Sequence, residues 1–412
     1  MDLVTRFLRA VLVLVGVDRS MLTSKGGEDY WLKMDFSIQQ RVLILGSSVS
    51  IQKNGYLPKL KEELDRLSPN GHIYFNASLG GAPIESAYSY VYSNTIYDIE
   101  AFNPTVCIIE KTPNDKIYFY DKLPADRIQE TLAKTRNFLR SLVRFLKAKQ
   151  CEVILLSNYV KPDNCLSWDK DSNLNYLIPM YDGIATQEKL LHVNIANFIY
   201  DNFNKDEINN FFLDEVHLSE SGAEVVAKKI ALDLTANSSE LLSNSNNLTL
   251  QLDQPFSQID LITLHKSTDH KFDSTLLKFH YDIFDSSNSL EIISNTSGYL
   301  SGLFYLSDPS TGWIRIEIDE QESHEIGLFD LSAFMPRLAY RSFPKIQFKN
   351  KISFQVIQKP INYEAALETY NNSKTFDPNA NWAIEKYKKP LLAVMQNPGN
   401  TFFKPSVIMA MK

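Results

Sequence analysis

From Arg41 onward the chain alternates short apolar, β-branched runs with longer amphipathic segments, the pattern of a parallel sheet wrapped by helices. The runs Arg41–Leu45 (RVLIL), His72–Asn76 (HIYFN), Val106–Glu110 (VCIIE), Cys151–Ser157 (CEVILLS) and Val193–Asn197 (VNIAN) predict five strands. Helices are predicted near Tyr56–Leu67, Ile84–Tyr97, Ala125–Lys149, Leu174–Leu191 and Ser219–Thr235. The last has two candidate starts: Ser219 as N-cap with Glu220 in the first turn, or Ser221 with Glu224 three residues on as a capping box. Either start leaves His217 just outside the helix.

The polar stretch Ala236–Asn247 (ANSSELLSNSNN) breaks this rhythm and reads as a linker. Beyond it the period changes. Leu248–Leu252, Ile259–Leu264, Leu276–Phe284, Leu290–Ser294, Gly302–Leu306, Trp313–Ile318, Lys345–Phe348 and Ile352–Ile357 largely alternate apolar and polar residues between turn signals. This predicts an antiparallel β-sandwich. Helical patterning returns around Tyr363–Tyr370 and Asn381–Gln396. The expected plan is an N-terminal helical extension over 1–40, an α/β domain over 41–236, a sandwich over 248–360 and a helical tail over 361–412.

Composition narrows the class. With 412 residues, 44% hydrophobic, the chain is long enough for two cores. A net charge of −7 without a local basic patch argues against nucleic acid. Cys107, Cys151 and Cys165 cannot form a fully paired framework, and two of them sit in apolar runs, which suits a reducing compartment. The seven histidines are scattered away from any cysteine pair, so no metal site is implied.

Near the N-terminus, Arg6 and Arg9 precede an apolar run from Ala10 to Val17 with no small-residue cleavage site after it. The pairs Leu3/Val4, Phe7/Leu8, Val11/Leu12 and Leu14/Val15 recur at helical spacing, so residues 3–17 read as an amphipathic helix. The run is shorter than the ~20 apolar residues of a membrane span. Packing on its own protein is the first reading and peripheral membrane contact the second. The expected location is the cytoplasm, with the inner membrane face as the alternative, ahead of export.

Candidate chemistry gathers in loops that come after the predicted strands. A nucleophilic serine needs an exposed hydroxyl beside a backbone N–H, which the turn after the first strand of a parallel sheet offers; Gly46-Ser47-Ser48 occupies that turn. Small residues are common at any tight turn, so the weight rests on three further loops. Asn76-Ala-Ser-Leu-Gly-Gly-Ala82 after the second strand lets backbone approach a ligand. Thr112-Pro-Asn-Asp115 after the third offers the Asn114 carboxamide, or else an Asx-turn. In Asp214-Glu-Val-His217, the aspartate can hold the imidazole by its Nδ1 proton while Nε2 serves as general base.

Across about residues 41–235 the order and spacing of these loops resemble the SGNH (GDSL-like) hydrolase superfamily. The resemblance implies a three-layer, flavodoxin-like fold with Ser48 as nucleophile and Asp214 and His217 completing a triad. It implies an oxyanion hole from Ser48, Ser78, with Gly81 as the fallback donor, and Asn114. Ser47, Ser78 and Thr112 stand where the family usually has Asp, Gly and Gly. Family members act on esters of lipids, small acyl compounds and acetylated carbohydrates.

The expected enzyme forms an acyl-serine and acts as esterase or O-acyltransferase on an acylated carbohydrate, a bacterial surface polysaccharide or its precursor. No cofactor is expected, other than acetyl-CoA as acyl donor for a transferase. The sandwich and its aromatics Trp313, Tyr299 and Tyr305 favour glycans, although aromatics also pack strand faces. The alternatives are a lipid or small-molecule esterase, and a non-catalytic glycan-binding or assembly protein.

Overall fold

A computed structural model describes residues 35–94, 96–112, 125–158, 174–213, 216–235, 259–273, 278–308, 310–328, 336–359 and 401–411. The expected helix over 3–17, the 236–247 linker, the strand at 248–252 and the helices at 363–370 and 381–396 lie outside the described residues. The chain divides into two compact units. One takes the chain up to Ala87 and from Ile99 to Ser257; the other takes Tyr88–Asp98 and the chain from Gln258.

The first unit holds five parallel strands, β1 (Arg41–Leu45), β2 (Ile73–Asn76), β3 (Val106–Ile109), β4 (Glu152–Ser157) and β5 (Leu191–Asn194), in the order β2-β1-β3-β4-β5. This is the parallel sheet that the pattern predicts, in the flavodoxin-like order that the resemblance implies. β1 lies second, paired to β2 at Leu43–Phe75 and to β3 at Leu43–Cys107. The central strands β1, β3 and β4 read as apolar runs because helices cover both faces and neither needs a polar side. On one face Val42, Ile44, Ile108, Ile154, Leu156 and Val193 share a core with helices α2 (Tyr56–Asp65) and α9 (Glu220–Thr235).

The other helices of this region are α1 (Ser48–Ile51), α3 (Ile84–Ser93), whose residues from Tyr88 on belong to the second unit, α4 (Ile99–Phe102), α5 (Ala125–Ala148), α6 (Leu174–Glu188), α7 (Ile195–Asn202) and α8 (Lys205–Asn210). One expectation is corrected and one open alternative is decided. The last strand starts two residues before Val193 and stops at Asn194, because the Asn194 side chain accepts from Asn197 N–H at 3.0 Å and caps α7. Of the two candidate starts for α9, Ser219 is the one realised, its Oγ accepting from Gly222 N–H at 3.3 Å. Among the described residues, no helix is long and apolar enough to cross a membrane.

The second unit is a sandwich of two antiparallel four-stranded sheets with a hairpin, β7 (His270–Asp273) with β8 (Lys278–Tyr281). One sheet runs β13-β10-β15-β6, from β13 (Arg337–Phe348), β10 (Gly298–Ser307), β15 (Pro405–Met411) and β6 (Leu261–Lys266). The other runs β12-β11-β14-β9, from β12 (Glu322–Gly327), β11 (Trp313–Ile318), β14 (Lys351–Ile357) and β9 (Ser289–Ile293). Alternate residues such as Leu303, Ile346 and Ile408 meet Ile316, Phe354 and Leu290 between the sheets.

The expected helical tail is corrected at its end: residues 405–411 form β15, hydrogen-bonded between β10 and β6. Its residues Pro405–Ala410 are buried on both faces, so the strand carries no polar alternation to betray it. Tyr305 is a core residue, 4% exposed, whose hydroxyl donates to Leu328 O at 2.9 Å, and it offers no sugar platform. Tyr299 is exposed, and the Trp313 ring lies under Lys359 Nζ at 4.3 Å.

Candidate active site

Ser48 lies just past β1 and is the first residue of α1, with Ser47 as N-cap; Ser47 Oγ accepts from Val49 N–H at 3.2 Å. At that first helical position the Ser48 N–H has no carbonyl within the helix to bond. The turn is tight enough to require glycine before it. A Cβ at Gly46 would stand 2.1 Å from Ser50 Oγ and 2.7 Å from Ser78 Oγ; with none, Gly46 N–H donates to Ser78 Oγ at 2.9 Å.

His217 arrives from 169 residues away, its Nε2 3.0 Å from Ser48 Oγ. With the serine hydroxyl donating, Nε2 is the acceptor and the ring proton sits on Nδ1, the tautomer a general base needs. Short contacts fix this loop. Phe212 and Leu218 form an antiparallel bridge, Leu213 N–H donates to His217 O at 2.8 Å, and Ser219 N–H donates to Phe211 O at 2.8 Å.

Gln52, just past α1, fastens the loop to the nucleophile turn. Its Nε2 donates to Leu218 O at 2.6 Å and its Oε1 accepts from Leu218 N–H at 3.2 Å. The sequence pattern offers no sign of this clamp, since a glutamine in a turn has no periodicity and its partner is 166 residues on. Gln52→Ala leaves two buried backbone groups of Leu218 unpaired, at ~1–3 kcal/mol each. We expect a lower melting temperature and a reaction of Ser48 with a fluorophosphonate slowed ~10-fold or more; an unchanged labelling rate would remove Gln52 from the site.

The second loop, 77–82, continues the β1–β2 ladder, with Ala77 N–H on Ile44 O at 2.9 Å and Leu79 N–H on Gly46 O at 3.1 Å. Ser78 N–H donates to Asn76 Oδ1 at 3.1 Å, so this predicted oxyanion donor is engaged, and the Ser78 hydroxyl braces Gly46. Gly81 has φ +70°, a backbone setting suited to glycine. The residue set against the nucleophile is Gly80, where an added Cβ would lie 3.4 Å from Ser48 Cβ. Thr112 is buried and its Oγ1 accepts from Asn158 N–H at 3.0 Å, tying the ends of β3 and β4. Asn114 and Asp214 lie outside the described residues. The structure thus brings Ser48 and His217 together, with the 77–82 loop beside them.

A second chain of the same residue types has no counterpart in the sequence reading. Ser157 Oγ is 2.7 Å from His192 Nε2, and His192 Nδ1 is 2.5 Å from Asp182 Oδ1. Ser157 is 0% exposed, so no substrate carbonyl can reach it, and the chain ties β4, β5 and α6 together.

Residues 45–230 match the family model of GDSL-like lipase/acylhydrolase. No curated protein matches the chain. A two-domain esterase active on acetylated mannans is similar in structure, with 13% identity, coverage of 90% of this chain and 91% of that chain, and a TM-score of 0.52. Such an esterase co-crystallised with mannopentaose gives 14% identity, 90% coverage of each chain and a TM-score of 0.51. At these identities the likeness is one of fold, and it takes in the parallel sheet and the antiparallel sheets alike. Residues 45–230 are a domain of the GDSL-like lipase/acylhydrolase (SGNH) family.

Proposed function

We propose that this protein is a serine-dependent enzyme that cleaves acyl esters of a carbohydrate. The observation that carries the reading is the 3.0 Å contact between Ser48 Oγ and His217 Nε2 at the carboxyl edge of the sheet. Ser48 Oγ attacks the ester carbonyl as its proton passes to His217 Nε2. Asp214 is assigned to the Nδ1 proton. The oxyanion is met by Ser48 N–H, by the fallback donor Gly81 N–H, since Ser78 N–H is held by Asn76, and by Asn114. Collapse expels the sugar alkoxide, which takes the proton from His217, and leaves an acyl-serine. A second acceptor, deprotonated by the same imidazole, then releases Ser48.

The two-domain fold shared with an esterase active on acetylated mannans supports carbohydrate as the substrate class. Within that class we favour a bacterial surface polysaccharide or its precursor, handled in the cytoplasm or at the inner membrane face. Purified protein is expected to release acetate from acetylated mannan oligosaccharides and to lose this on treatment with a fluorophosphonate. No acetate release, with activity only on lipid esters, would overturn the carbohydrate reading. Acetyl-CoA supplied with deacetylated oligosaccharide separates the acceptors: acetylated sugar marks a transferase, free acetate a hydrolase.

A further inference from the structure

Glu110 and Lys111 come directly after β3, and both are 0% exposed. Ionisable side chains are rarely buried so fully without a task, because desolvation is costly and packed apolar residues would serve stability as well. Their partners are two loops of the site. Glu110 Oε2 accepts three hydrogen bonds from the nucleophile turn: Ser47 N–H at 3.0 Å, Ser47 Oγ at 2.8 Å and Ser50 Oγ at 2.9 Å. Ser50 Oγ also lies 2.7 Å from the hydroxyl of Tyr56, which is buried at the start of α2.

Lys111 Nζ donates to Leu79 O at 3.3 Å and to Ala82 O at 3.1 Å, the two ends of the segment that sets Gly80 against Ser48. Burial holds the Glu110 carboxyl above its ordinary range, and the hydrogen bonds from Ser47 and Ser50 and the charge of Lys111 offset only part of that rise. Three donors converging on one oxygen is the coordination of a carboxylate acceptor.

We propose that Glu110 and Lys111 act as a consecutive pair of positioning residues, the carboxylate fixing the turn that carries Ser48 and the ammonium fixing the 79–82 loop beside it. Nucleophile and oxyanion donors are thereby held to one strand end at a set separation, where a misplacement of about 1 Å can cost ~100-fold in rate. This inference rests on Ser48 being the nucleophile.

The test uses Glu110→Ala and Lys111→Met, with melting curves, kcat and KM on p-nitrophenyl acetate, and the rate of fluorophosphonate labelling. Folded Glu110→Ala is expected to lose ~100-fold in kcat with KM within about twofold, and labelling should slow in proportion; Lys111→Met should lose ~10-fold. Wild-type kcat in folded Glu110→Ala, or a change confined to KM, overturns the proposal. Wild-type kcat in Lys111→Met removes the ammonium from it. Should Glu110→Ala fail to fold, Ser47→Ala/Ser50→Ala deletes two of the three donors and decides the matter. A loss of ~10-fold or more supports the assignment and an unchanged kcat defeats it. Ser48→Ala in the same assay separates the two readings: if it keeps the wild-type rate, the serine reading falls and takes this one with it.

Discussion

Ser48→Ala is expected to lower kcat on p-nitrophenyl acetate by ~10⁴-fold or more, with a melting temperature near that of the parent. The hydroxyl is the attacking atom, and no neighbouring group can replace it. Losing it removes a partner from a half-buried histidine that water can still solvate, so stability is little affected. His217→Ala should fall as far, because a serine without its base stays protonated. Ser157→Ala provides the opposite result. Its hydroxyl lies 2.7 Å from His192 Nε2 in a buried place, so its removal leaves that nitrogen unpaired, at ~1–3 kcal/mol. Its activity should stay within about twofold, since no substrate reaches a 0% exposed serine. Side by side, kinetics and melting curves assign one serine to chemistry and the other to architecture. A rate for Ser48→Ala close to the parent's would reject the mechanism.

Gly46→Ala should be nearly as damaging by a different route. The new methyl would have to occupy space 2.1 Å from Ser50 Oγ and 2.3 Å from Ser50 Cβ, inside α1 itself. Because Cβ is fixed to the helix backbone, no rotamer relieves the overlap, and α1 must shift away from β1. Overpacking of this kind costs ~1–3 kcal/mol. The displacement falls on Ser48 and on the Gly46–Ser78 hydrogen bond, so we expect a fluorophosphonate labelling rate down by ~100-fold or more. A folded variant that labels at the parental rate would show that the turn tolerates a side chain.

The parallel sheet is legible in the sequence because its three central strands, β1, β3 and β4, are buried on both faces and so spell themselves as apolar runs; β1, and β11 in the sandwich, fall on the predicted residues. The misreadings have local causes. The last predicted strand extends across Ile195–Asn197 because VNIAN is apolar enough for a strand, and only the Asn194 cap shows where the helix starts. Four-residue helices such as α1 and α4 complete barely one turn, too short for a 3.6-residue period to show. β12, with ESHEIG, is polar along most of its length and has no alternation to read.

At the site, Ser48 and His217 are accessible to sequence reasoning because loop order along a parallel sheet is itself information. Gln52, Glu110 and Lys111 are not. Each acts through partners far away in the chain, and Glu110 reads only as the polar end of a strand. Gly80 is hidden among its neighbours because spacing cannot tell which of two adjacent glycines faces the nucleophile.

The seat of β15 between β10 and β6 has a consequence for how the protein is made. Met411 pairs with Leu261, 150 residues earlier, so the ribosome must deliver nearly the whole of that stretch before the gap in the sheet can close. Until then the facing edges of β10 and β6 offer unpaired amides to any passing strand. Translation that stops short of Pro405 leaves the sandwich open at its middle, a nascent chain for chaperones to shield while the earlier α/β half already has all five of its strands.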